Sequence, residues 1–394
     1  MQDFPRCRIF RFRIKPFPLG FSILCFAALL ALPCELKAQN SGALIGMEIG
    51  RAEEAQEFGD IKPPKYQTLW IAADPNGKLA VLATIPELII PRRDGFWHLG
   101  VKQVCEFTAD TDGQGGGNEE IRQAVWAASA GQAAKVAQVR ECAPDAPAKE
   151  PEGSTDAAAE NAHPITQCGF TLSDIEFVSP ELISVRNYQS QSESCEARGG
   201  HYATTFHVRR FDEDTPASFG KLLGPEAGQA YARALPKKGK DQNGEECGEP
   251  YSSTDEEWEI GHFHGRTTLL VRQSLGNFGC SADAQIRFRL PSALSGETAV
   301  IPDWKTFQLA DKEFWDAYVS PSGDLVIVIT KTEIRVYELK QSTPGKLLLT
   351  LPGHPIAAVQ WATGTHVKDW TAQLQKIASK PLLEPQVVVN KEPK

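Results

Sequence analysis

The stretch "GHFHG" at residues 261–265 places His262 and His264 two positions apart. On a β-strand that spacing sets both imidazoles on one face, the arrangement a zinc or copper ion uses. A third ligand would have to come from another strand, where His201 and His207 are the available imidazoles. A half-exposed strand with two histidines and no metal is the plainer reading of the same residues.

A second cation candidate is "ADTDGQGGGN", residues 109–118. Aligned as a calcium loop, Asp110 and Asp112 fill positions one and three, and Gly115 fills the glycine position. Position twelve demands a bidentate glutamate and is Ile121, so this is not an EF-hand. A looser clip built from Asp110, Asp112 and loop carbonyls remains chemically feasible, against a soluble tip whose glycines serve the turn. No cofactor is expected.

Catalytic motifs are scarce. There is no G-x-S-x-G elbow, no H-E-x-x-H and no phosphate-cradling G-x-x-x-x-G-K-[ST] loop. "STDEEWE" gathers Asp255, Glu256, Glu257 and Glu259 around Trp258. Glycoside cleavage needs two carboxylates facing each other across a sugar, usually from distant segments. Consecutive acids are more simply a solvated loop. Trp70, Trp97, Trp304, Trp315 and Trp361 fall in strand patterns and read as core.

These groups must be carried by a framework, and the chain ends say where it works. Arg6, Arg8, Arg11, Arg13 and Lys15 precede the apolar run "PLGFSILCFAALLALP", the layout of a secretory signal peptide. Cleavage after Ala38 is expected, giving a secreted or periplasmic chain. The apolar run is short beside the ~20 residues a stable span needs, and no later stretch is apolar enough to cross a bilayer. Without residues 1–38 the chain carries 35 Lys or Arg against 48 Asp or Glu. That acidity argues against nucleic acid or an anionic membrane surface as partner.

Six cysteines remain beyond the leader: Cys105, Cys142, Cys168, Cys195, Cys247 and Cys280. An even set in an exported chain, without any C-x-x-C pair, points to three disulfides. Fifteen connectivities are possible, and neighbour pairing (105–142, 168–195, 247–280) is the simplest.

The expected fold is mainly β, built of antiparallel meanders with one or two short helices and crosslinked by disulfides. After the leader, residues 39–65 read as a loose N-terminal segment. Residues 66–107 read as strands, broken by "DPNG" and "PRRDG" turns. Residues 108–164 form an insertion: the glycine run, a helix over 118–141 and a low-complexity Ala/Pro/acidic linker. For that helix Asn118 is the cap, and Ile121, Val125, Ala128, Val136 and Val139 make the apolar stripe.

Residues 165–300 resume as strands with a short helical region near "TPASFGKLLGPEAGQAYARALP". Residues 301–375 carry "EFWDAYVSPSGDLVIVITKTEIRVYELKQSTPGKLLLTLPGHPIAAVQWA", four short strands and the start of a fifth. That rhythm resembles a β-propeller blade; a plain antiparallel meander accounts for it nearly as well. Residues 376–394 form a polar tail.

A second resemblance lies over residues 166–300. "ISVRNYQSQSESCEARGGHYATTFHVRRFDEDTPASFGKLLG" is similar to the strand, Gly-Gly-His, strand, short-helix layout of a secreted bacterial domain of unknown function. That domain occurs in lysozyme-sensing anti-sigma factors and in polysaccharide deacetylases. The match rests on Gly199, Gly200, His201, Leu222 and Leu223. No membrane span with a cytoplasmic sigma-binding part accompanies it, which argues against an anti-sigma role.

The resulting expectation is an exported, non-catalytic interaction protein of the bacterial envelope, with cell-wall glycan or another envelope protein as partner. The alternative is a glycan-directed hydrolase on a propeller-like scaffold.

Overall fold

The computed structural model describes residues 41–50, 63–109, 117–129, 169–191, 198–208, 216–236, 255–274, 281–295, 304–310 and 312–379. All of them belong to the unit that spans residues 39–394. The architecture is mainly β, as the strand-rich composition predicts.

Strand β1 (Ser41–Gly50) lies between β17 (Ile356–Thr363) and β2 (Lys65–Ala73), and β3 (Leu79–Ile85) completes that sheet. β1 and β17, far apart in the chain, pair antiparallel from Ser41↔Thr363 to Met47↔Ile356. Residues 41–50 correct the expectation of a loose N-terminal segment, since eight of the ten are buried. The reason is composition. "SGALIGM" has no charge to hold it in water, and Gly42 lets the backbone approach the Trp70 indole, where a Cβ would sit only 2.3 Å from the ring.

A second sheet runs β4 (Leu88–Arg92), β5 (Gly95–Ala109), β6 (Gly117–Ser129), β7 (Gly169–Val178), β8 (Leu182–Gln191) and β9 (Arg198–His207). The helix expected over 118–141 is not formed in its described part: residues 117–129 are strand β6, paired with β5 from Trp97↔Ser129 to Ala109↔Gly117. Ile121, Val125 and Ala128 suit a helical stripe, but a strand alternates and sends Val125 and Ala128 to opposite faces. Val125 faces one core and Trp126 and Ala128 another, so both faces are covered and the strand wins. β6 and β7 then meet in parallel over only three positions, abutting two three-stranded antiparallel groups. Gln123, Ser173, Asn187 and Thr204 cross-link β6–β9 by side-chain hydrogen bonds of 2.8–3.1 Å.

The third sheet is β10 (Trp258–Phe263), β11 (Arg266–Ser274) and β12 (Ser281–Ile286). Helices α1 (Phe219–Leu223) and α2 (Pro225–Ala234) precede it, and α3 (Ser292–Ser295) and α4 (Trp304–Ala310) follow it. The fourth sheet is the meander β13 (Asp316–Val319), β14 (Leu325–Ile329), β15 (Glu333–Lys340) and β16 (Thr343–Pro352). It matches the four strands read from sequence, while the anticipated fifth strand, β17, leaves to join β1.

After Gly364, helix α5 (Thr365–Ala378) adds an element absent from the sequence reading, which placed this stretch across the blade-like segment and the polar tail. Val367, Trp370, Leu374 and Ile377 recur at spacings of three, four and three, a single helical face. They pack with Trp70, Ile89 and Phe96, and the Trp70 indole donates to Thr371 Oγ1 at 2.9 Å. The helices are thus more numerous than the one or two expected.

Apolar clusters join the sheets pairwise. Ile45 and Ile71 pack with Ile327, Ile334 and Val336, placing the β1 sheet against the β13–β16 sheet. Tyr66 and Ala357 pack with Leu99, Val125 and Ile183, placing it against the six-stranded sheet. Phe177 and Leu182 meet Trp258, Ile260, Leu269 and the Phe219 of α1, joining the six-stranded sheet to β10–β12.

Candidate functional site

The β10–β11 hairpin turns at His264–Gly265, not beyond them. Phe263 pairs with Arg266, and the two turn residues both have positive φ, 54° and 71°. That conformation is the hairpin-matching one, with glycine welcome at the second position and a bulky residue strained at the first. His262 remains on the strand and His264 does not, so the two imidazoles do not share one strand face as spacing alone suggests.

Asp316 at the start of β13 explains the turn. One carboxylate oxygen accepts the Gly265 N–H at 2.6 Å and the Ala317 N–H at 2.8 Å. The other meets His262 Nδ1 at 2.8 Å. The His262 ring stacks on Tyr318 at 3.9 Å between centroids. Asp316 is buried, and a buried carboxylate is tolerated only when such donors surround it.

With its backbone so held, His264 projects into a row of rings. Phe263 stacks on it at 3.9 Å and Trp304 of α4 approaches at 4.1 Å. Trp304 touches Phe314 at 4.2 Å, and Phe314 leads to Phe307 at 5.5 Å. The row runs from solvent into the core formed by α4 and the last sheet. Phe263 is 50 % exposed while Phe307 is fully buried.

Helix α4 is the centre of a wider apolar surface. Among the described residues five large hydrophobic side chains are exposed, and four of them belong to α4 or to its neighbours. Phe263 reaches α4 through the ring row. Leu309 lies on α4 and is 86 % exposed. Trp315, 58 % exposed, follows Phe314 and precedes Asp316. Leu347, 45 % exposed, lies on β16, against which α4 packs. Sequence reading had Trp315 as core, from its place in an aromatic strand pattern; the structure turns Phe314 inward and leaves Trp315 outside. Asp316 was missed because its partners His262 and Gly265 lie some fifty residues away. The only signal was the run "EFWDAY", an acid framed by aromatics.

The other candidates are accounted for structurally. Asp255 Oδ2 accepts from Ser218 Oγ at 2.7 Å and from the Gly220 N–H at 2.8 Å, fixing the start of α1. Glu259 is 2 % exposed and reaches Arg186 at 3.5 Å and Arg272 at 3.4 Å. Arg186 continues to Glu176 at 2.8 Å and Arg272 to Asp283 at 3.0 Å, a charge chain that spans β7, β8, β10, β11 and β12. Burial pushes the Glu257 carboxyl up to about 7, with the Gln273 side chain opposing the rise. Three of the acids of "STDEEWE" are thus held by separate local structures rather than facing one another across a cleft.

His201 lies on β9, and among the described residues no three His, Cys, Asp or Glu side chains come together as a metal site. Asp110 and Asp112 fall outside the described residues, as do Cys142, Cys168, Cys195, Cys247 and Cys280. Cys105 is placed on β5 by its backbone alone. Gly199 and Gly200 lie on β9, and Leu222 and Leu223 on α1. Among the described residues no helix is long and apolar enough to cross a membrane.

No family model matches the chain, and a search of curated proteins gives no significant match.

Proposed function

We propose that this chain is an exported envelope protein that acts by binding another protein, and that the α4-centred surface is where it binds. The observation that carries the reading is that four exposed apolar side chains lie on α4 or on segments next to it: Leu309 on the helix, Leu347 on the β16 strand it packs on, Phe263 at the end of its ring row and Trp315 beside Phe314. Contiguous exposed apolar surface marks interaction sites, and aromatic anchors dominate their energetics. Stacked rings alone would suit a sugar face equally well. Leu309 and Leu347 favour a protein, because aliphatic side chains offer no flat ring for a sugar to stack on. Export and three disulfides among the six cysteines belong to the same proposal, supported by the leader-like N-terminus and the even count.

The propeller resemblance supplies the frame. We infer that the sheets stand in a ring, and the support is the order of their contacts. The last sheet packs on the first, the first on the six-stranded sheet, and that sheet on β10–β12. Asp316 then ties the β10–β11 turn back to the last sheet. Placed at that seam, the docking surface rests on rigid strands rather than on a free loop, which lowers the ordering cost of binding.

The experiment is site-specific photo-cross-linking of the chain expressed in a bacterial envelope, with the probe at Trp315 or, as control, at Lys368 on α5. A discrete adduct from position 315 and none from position 368 is expected. Equal adducts from both, or none from position 315, would overturn the reading.

A further inference from the structure

Resting on that docking reading, we infer that the occupant is an extended, acidic segment of the partner, which adds a strand to the free edge of β16. Among the described residues β16 is the outermost strand of its sheet, paired with β15 on one side only. Its other side presents a row of backbone donors and acceptors that an extended peptide can satisfy without any side-chain match. From Leu349 to Pro352 the register with β15 is unbroken; the irregularities of this pair fall earlier, around Tyr337. That regular stretch is the far end of the strand; Leu347 sits between the two irregularities.

Side chains supply the specificity. Leu347 on β16 and Leu309 on the adjoining α4 are both exposed, so a strand laid along β16 would meet an apolar ledge on the α4 side. Charge selects the partner's sign. Glu313 and Glu333 are held by Arg335, and Glu338 by Lys340. Lys346 on β16 is exposed and has no ion-pair partner among the described residues. This cationic edge on an acidic chain is complementary to an acidic segment and repels a second copy, whose own Lys346 would return to the same seam.

Fluorescence anisotropy with three labelled synthetic heptapeptides tests the inference on the purified full chain. One alternates glutamate and valine, one is the same peptide with every backbone amide N-methylated, and one alternates lysine and valine. Saturable binding of the Glu–Val peptide alone is expected, weakened about tenfold or more by Lys346→Glu. Leu347→Ser should weaken it as well, and circular dichroism should show both variants folded.

Equal binding of the N-methylated peptide would overturn strand addition, since that probe cannot make the edge hydrogen bonds. Equal binding of the lysine peptide would overturn the charge argument. Self-association removed by Lys346→Glu would assign the edge to a second copy and overturn the inference. Adducts at position 315 with no peptide binding would sink strand addition and leave the docking surface standing; loss of both sinks both.

Discussion

Asp316 and His262 meet across two sheets, carboxylate to Nδ1 at 2.8 Å, while the second carboxylate oxygen holds the Gly265 N–H at 2.6 Å. One buried acid thus fixes both the strand end and the strained turn that presents His264 to Trp304.

Replacing Asp316 by alanine removes three hydrogen bonds and frees a left-handed histidine. Charge-assisted bonds of this kind contribute about 1.5–3 kcal/mol each, and their loss is not additive. We expect Asp316→Ala to lower unfolding free energy by about 3 kcal/mol in urea titration, with Asp316→Asn intermediate. A loss below about 0.5 kcal/mol would show that the turn holds itself.

Glu257 makes stability depend on pH. Its carboxyl is raised from 4.5 to about 7 in the fold, chiefly by burial. A group raised on folding favours the folded state while protonated, so its contribution is present below pH 4.5 and lost as pH climbs toward 7. Melting temperature should fall across that window, and Glu257→Gln should flatten the fall. A Glu257→Gln profile parallel to that of the parent chain would remove Glu257 as the cause.

The β15–β16 turn carries an avoidable cost. Gln341 and Ser342 both have positive φ, 49° and 65°, where side chains cost roughly 1–2 kcal/mol each. Asn-Gly is the sequence this hairpin turn prefers. Gln341→Asn with Ser342→Gly should raise stability by about 1–2 kcal/mol. No gain in a thermal melt would mean that the turn relaxes in solution.

Gly42 tests the burial of β1. A Cβ there would fall 2.3 Å from the Trp70 ring, and Trp70 is itself tied to Thr371. Gly42→Ala should cost about 1–3 kcal/mol, the range for overpacking a filled core, and should shift the tryptophan emission. An unchanged melt would place β1 outside the core.

The strands of residues 66–107 and 313–362 were legible because β-branched runs alternate with Gly and Pro turns at short range. β6 was misread because Ile121, Val125 and Ala128 recur at helical spacing, and only the long edge of β5 makes the segment a strand. β1 was missed for a related reason: its partner β17 lies over three hundred residues away. The candidate site was half legible. His262 and His264 stood out as a pair, but their roles are set by Asp316 and Trp304, contacts made by folding and invisible to spacing. Trp315 shows the converse, an aromatic whose strand pattern implied core and whose place is at the surface.

The most direct test of the docking surface separates binding from folding with Leu309→Ser and Trp315→Ser together, and with the photo-probe moved to Leu347. Side chains that the core does not use should be removable without cost. Expected is a melting curve within about 2 °C of the parent's, the shift allowed for well under 1 kcal/mol, together with loss of the cross-linked adduct from position 347. A large drop in melting temperature, or an adduct that survives the double substitution, would contradict a surface built to bind.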